Sequence, residues 1–398
     1  MKTFGTISRG LIAPIINKND NIAEIAAETL LQAVKKDGIT LHERDILAIT
    51  ESVVARAQGN YVTTEQIAAD ISKKFSDSTI AIVFPILSRN RFAPCLEGIA
   101  RTGKKIVMLL SYPSDEVGNH LISDDLFYET EVNPREDVFT VETFHKKFGS
   151  TLHKFTGVDY LAYYESIMKT YNKDSFIVLA NNPGEVLKYT SSVLACDIHT
   201  RERTKKLLKK AGATCVLGMD DIMTASVSGS GFNSKYGLLG SNKASDNSLK
   251  LFPENPQPIV EKIQKIVYDK TGVKIEVMVY GDGAFKDPVG KIWELADPVV
   301  SPAFTSGLRG TPNEIKLKYI ADNLFADLPQ AEQREKIAAY IAEHQRKAES
   351  NIDTIVTEGT TPRHLTDLIG SLCDLTSGSG DKGTPFIFIQ GYFDKFHA

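Results

Sequence analysis

Short apolar runs rich in β-branched residues alternate with longer stretches of helical period along most of the chain, and few architectures accommodate that pattern. The runs at 45–54 (DILAITESVV), 79–87, 105–112, 175–181, 214–219, 274–281 and 384–393 read as strands. Segments 21–38, 63–75, 200–212, 255–272, 331–350 and 361–377 carry apolar residues at helical spacing and read as helices. Asp20 and Thr63 are placed to cap two of these helices, and Gly38 and Gly212 to stop two. The alternation predicts a mixed α/β or α+β fold.

At 398 residues the chain is long enough for two or three domains with a substantial core. Its 46 Lys plus Arg against 50 Asp plus Glu leave a net charge of -4, so the basic footprint of a nucleic-acid binder is missing. Cys95, Cys196, Cys215 and Cys373 are far apart with no CxxC pair, which removes zinc ribbons and dithiol redox motifs and suggests buried free thiols in a reducing compartment. The eight histidines form no HxH, HExxH or HxxxH pattern. Apolar runs such as 106–110 and 176–180 fall far short of the roughly 20 residues that span a bilayer, and Pro14 interrupts the first apolar stretch. A cytoplasmic protein without membrane partners is expected.

Two near-motifs fail on context. GIARTGKK (98–105) imitates a P-loop, but a helical pattern precedes it, a strand follows it, and Lys105 stands where a magnesium-binding hydroxyl is needed. GSGDKG (378–383) matches GxGxxG yet lies after a helix and before a strand, the reverse of a dinucleotide fingerprint. Three Gly-rich loops remain, at 226–248, 280–290 and 376–385, of a kind that can bring backbone N–H groups to an anion. Near them are Asp282, Asp287, Asp367 and Asp381, hard oxygen donors suited to magnesium or manganese bound to nucleotide phosphates.

Three blocks, in order, resemble the coenzyme F420-0:gamma-glutamyl ligase family. RDILAITESVVARAQGN (44–60) is similar to the pattern GDVLVVxxxxVSKAEGR; NSLKLFPENP and the helix and strand after it (247–285) resemble the SLLLPP block with its following TG and acidic loop. HLTDLIGSLCDLTSGSGDKGTPFIFIQGY (364–392) resembles ADEIAxxAxLxMGxxxxGxPxVxxRG. The resemblance implies the gamma-glutamyl ligase fold with inserted α/β segments. It also implies a reaction in which GTP, or ATP, activates a carboxylate acceptor as an acyl phosphate that the amine of L-glutamate displaces. Mg2+ or Mn2+ would bridge the phosphates. On this reading Asp282 and Asp367 hold metal, Arg56 takes the place of a family lysine and is catalytic with Asp282, and Ser241, Asn242 and Lys243 bind nucleotide. A homodimer is implied as well.

The sequence departs from the family where TDTxGR becomes YGDGAFKD, where NAGID becomes GLLGSNKASD, and where a Glu becomes Leu368. Two other readings therefore stand beside the first: a ligase of this fold acting on a folate-like acceptor, and a nucleotide- or metabolite-binding regulatory protein without catalysis. The expected organisation is an N-terminal part of the ligase core (1–115), an inserted α/β region (116–215), a central core with glycine-rich and acidic loops (216–311), a helical arm (312–350) and a C-terminal core segment (351–398).

Overall fold

The computed structural model describes residues 5–394 apart from 155, 282–284, 287–292, 295–300, 311–323, 326–327, 330–331, 334, 338, 341–363 and 378–382. Asp282, Asp287, Asp381 and most of the expected helical arm at 312–350 lie outside the described residues. The architecture is mixed α/β, as the alternating pattern predicts.

One sheet has two parallel strands at its heart, β2 (Ile46–Thr50) and β12 (Glu276–Tyr280). Next to β2 lies antiparallel β16 (Phe386–Gln390), then β1 (Ile7–Leu11); beyond β12 lies β15 (Ala303–Phe304). Successive residues of β2 face opposite cores. Leu47 and Ile49 pack with α1 (Ile22–Lys36) and α9 (Gln257–Thr271), whereas Ile46 and Ala48 pack with α10 (Leu365–Ser377) through Ile369 and Cys373. Burial on both faces is why these strands read as unbroken apolar runs.

A second sheet of six strands spans residues 79–218, in the order β6 (Phe139–Thr140), β7 (Phe176–Leu179), β5 (Lys105–Leu110), β4 (Thr79–Val83), β8 (Ser192–Ala195), β9 (Cys215–Gly218). All but β6 are parallel. From β4 the chain winds outward to β5 and β7, then returns to the other side for β8 and β9, so this is a doubly wound sheet with its reversal between β4 and β8. On one face are α3 (Thr64–Lys74), α4 (Phe92–Ala100), α6 (Val141–Phe148) and α7 (Tyr160–Tyr171); α8 (Arg201–Lys210) covers the other, and the short α5 (Asp124–Glu129) lies in the β5–β6 connection. The sequence boundaries at 115 and 215 cut through this sheet, because β4 and β5 bond to strands of the next segment. The β4–α4 turn, 84–91, contains no glycine, in keeping with the absence of a dinucleotide fingerprint.

A small three-stranded sheet joins the two. It consists of β10 (Asn242–Ser245), β11 (Ser248–Lys250) and β3 (Tyr61–Thr63), where β3 follows α2 (Glu51–Gln58) and leads into α3. A ladder of β13 (Phe285–Lys286) with β14 (Trp293–Glu294) completes the described strands.

Local corrections have physical causes. The run 45–54 is not one strand: β2 ends at Thr50 and α2 begins at once, since Val54, Ala55 and Ala57 bury themselves at helical spacing. Asn21, not Asp20, precedes α1, and Asp20 instead accepts the Asn17 N–H at 2.6 Å. Thr63 does cap α3, in a capping box with Gln66. The false P-loop is a helix end: α4 finishes within it at Ala100, β5 starts at its last residue, Lys105, and a β-carbon on Gly98 would lie 2.8 Å from Ile67 of α3.

Candidate active-site edge

Because β2 and β12 are parallel, their carboxyl ends open on one edge of the first sheet. The neighbouring chain ends there too: Thr50 N–H donates to Pro385 O at 3.0 Å, and Ala13 N–H, just past β1, to Gly383 O at 3.1 Å. Gly281, buried, follows the last residue of β12 at this edge, and Asp282 comes next in the sequence. At the opposite end of the sheet the buried Asp45 fastens β2 to β16, accepting from Gln390 Nε2 at 2.8 Å and from the His42 N–H at 2.9 Å. Burial raises the Asp45 pKa in spite of these bonds.

The first residue of α2, Glu51, follows Thr50 directly at this edge. Glu51 is buried and accepts from Lys250 Nζ at 2.5 Å; Lys250, the last residue of β11, is itself buried, with buried Leu249 and Leu251 on either side in the sequence. The pair ties the start of α2 to the small sheet, and a carboxylate in the first helical turn is favourable to the helix dipole. Asn242 is the cross-strand neighbour of Lys250. Arg56 is exposed on α2, one turn beyond Ser52 and on the same face. Nearby, the Lys18 stem lies against Gly59, where a β-carbon would come 2.6 Å from Lys18 Cε.

The three residues read as nucleotide-binding do not share one environment. Asn242 faces the Lys250 position, whereas Ser241 is buried against Cys95 of α4, Oγ to Sγ 3.4 Å. Lys243 is exposed and pairs with Asp246 at 2.9 Å, which raises its pKa. Asp367 lies in the first turn of α10, whose Leu365 N–H bonds to Gly310 O at 2.9 Å. The turn before Gly310 packs on Glu276, the first residue of β12. Asp367 thus lies on the element that meets the turn at the amino end of β12. Among the described residues no three His, Cys, Asp or Glu side chains come together as a metal site.

In the loop 226–248 the N–H groups of two glycines are already engaged by the protein. Gly231 N–H donates to Tyr61 O at 2.7 Å and Gly237 N–H to Asn233 O at 2.9 Å, while Gly240 lies flat on the Phe252 ring. Gly231, Gly237 and Gly240 serve close packing. Sequence reasoning missed Glu51 and Lys250, although a lysine inside the apolar run of 249–252 was a visible irregularity.

The sequence pattern of the F420-0:gamma-glutamyl ligases matches residues 10–391, nearly the entire chain. The chain belongs to that family. The match runs through the second sheet and the charged segment as well as the three blocks first compared, so this ligase-family member carries the doubly wound sheet within the matched span. A comparison with curated proteins gives no match. Among the described residues, no helix is long and apolar enough to cross a membrane.

Proposed function

We propose that the protein joins the amine of L-glutamate to a carboxylate acceptor, F420-0 or a compound like it, at the carboxyl edge of β2 and β12. The observation that carries this reading is the convergence of α2, the Glu51–Lys250 pair and the 383–385 segment on the edge where β12 leads to Asp282, in a chain of the gamma-glutamyl ligase family. GTP, or ATP, would supply the phosphoryl group that turns the acceptor carboxylate into an acyl phosphate. Arg56 and Lys18 provide positive charge beside α2 to offset phosphate oxygens, and Asn242 provides an amide next to Lys250. Glu51 and Lys250 hold the first turn of α2 in register with the edge. Mg2+ or Mn2+ would be held by Asp282 and Asp367 together with the nucleotide's phosphate oxygens. The protein would act in the cytoplasm as a homodimer.

The test is purified protein with L-glutamate, GTP or ATP, Mg2+ or Mn2+, and a panel of deazaflavin and folate-like carboxylates. Phosphate release with a product heavier by one glutamyl unit is expected. Failure with every acceptor, together with nucleotide binding, would instead establish the regulatory reading that the altered acidic loops motivate.

A further inference from the structure

In doubly wound sheets ligands bind beyond the carboxyl ends of the strands that flank the reversal. Here three loops meet at that place: 84–91 after β4, 111–122 after β5 and 196–200 after β8. Two consecutive carboxylates of the middle loop hold the other two. Buried Asp115 accepts the Leu87 N–H at 2.8 Å. Glu116 accepts the N–H groups of Ile198, of His199 at 3.0 Å and of Thr200 at 3.3 Å, with the Thr200 hydroxyl also at 3.3 Å. Its carboxylate therefore fills the anion-attracting start of the ten-residue α8.

A separate observation concerns Asp197, whose side chain is fully buried. Its Oδ2 accepts the hydroxyls of Thr200 at 2.7 Å and Thr204 at 2.6 Å, but its Oδ1 is buried without a hydrogen-bond donor. The Thr200 hydroxyl touches Glu116 Oε2 and Asp197 Oδ2, so one side chain links the Asp197 carboxylate to the cradle that Glu116 occupies. Arg201 does not answer Oδ1: Nη1 bonds to the carbonyls of Asp197 and Ile198, and Nε faces Asp220 at 2.9 Å. Burial raises the Glu116 pKa, the N–H bonds oppose that rise, and the Asp197 charge adds to it.

We propose that this crevice is a binding site for an α-amino acid zwitterion, whose carboxylate takes the N–H cradle now filled by Glu116 and whose ammonium donates to Asp197 Oδ1. Phosphate fits the charges poorly, since it would add a second negative charge beside buried Asp197. A zwitterion replaces one carboxylate by another of the same shape and brings a cation to the oxygen that lacks a donor. Glu116 is partly exposed and His199 exposed, so the cradle borders the surface. The site is separate from the proposed ligase edge.

Calorimetric titration of the full chain with glycine tests this. Removing the plug with Glu116→Ala should tighten glycine binding by about tenfold or more, because the open cradle no longer has to compete with its own side chain. Glu116→Gln keeps the side-chain volume while turning an amide toward the same donors, and should move affinity in the same direction. In either variant acetate and methylamine, which each carry half of the zwitterion, should bind at least about tenfold more weakly than glycine. Adding Asp197→Asn should erase the preference for glycine over acetate. Unchanged glycine affinity in the folded variants would overturn the proposal, as would acetate or inorganic phosphate binding as well as glycine.

Discussion

A β-carbon on Gly240 would sit 1.6 Å from Phe252 Cε2, at a residue whose φ is +69°, so this position tolerates neither bulk nor an ordinary backbone. Gly240→Ala should lower stability by about 3 kcal/mol in urea denaturation, since the ring is in the core and cannot retreat freely. Lys250→Met should cost about 3 kcal/mol for a different reason: it breaks a buried ion pair by removing the cation 2.5 Å from Glu51. Arg56 is the contrasting case. It is exposed, so Arg56→Ala should change stability by no more than about 0.5 kcal/mol. If it faces phosphates as proposed, the same substitution should reduce kcat/KM for the nucleotide by about tenfold or more. Unchanged kinetics would remove Arg56 from the ligase chemistry. The sequence made Arg56 legible through a motif, but Lys250 only through its oddity among apolar neighbours, because nothing local announces a partner some 200 positions earlier.

Among the elements, α3 owes its start to the Thr63–Gln66 capping box, and Thr63→Ala should cost about 1 kcal/mol. The loop before α8 makes a pH-dependent prediction. Glu116 has its folded pKa raised above the ordinary 4.5, so the folded state holds its proton more tightly than the unfolded chain does. Its contribution to stability is therefore present at low pH and lost as pH rises through the folded pKa. Denaturation of wild type and Glu116→Gln between about pH 4.5 and 7.5 should show the wild-type advantage shrinking as pH rises, and a flat or growing difference would count against it. Elements were readable where pattern is local: residues 105–110 and 276–280 alternate between two buried faces, and both were recognised as strands. What pattern could not convey is pairing. The order of the six strands, and the meeting of Glu116 with 198–200, depend on contacts between distant residues that leave no spacing to read. The abrupt change from β2 to α2 was missed because Val53 and Val54 extend the apolar run while obeying a helical period.

For the whole molecule, dimerisation is expected from the family resemblance, and light scattering should give a mass near twice 43.8 kDa at micromolar concentration. A single-chain mass would contradict it. The two large sheets also differ in how far their strands are separated along the chain. The second is drawn entirely from 79–218, whereas β16, at 386–390, lies between β1 and β2 in the first. On the ribosome, then, the doubly wound sheet can close soon after residue 218 has emerged. Strands β1 and β2, made earliest, have no complete sheet to join until the last of their partners is synthesised. The order of translation and the order of assembly are therefore opposed in this half of the protein, and its apolar β2 must be kept from wrong partners until β12 and then β16 have been made.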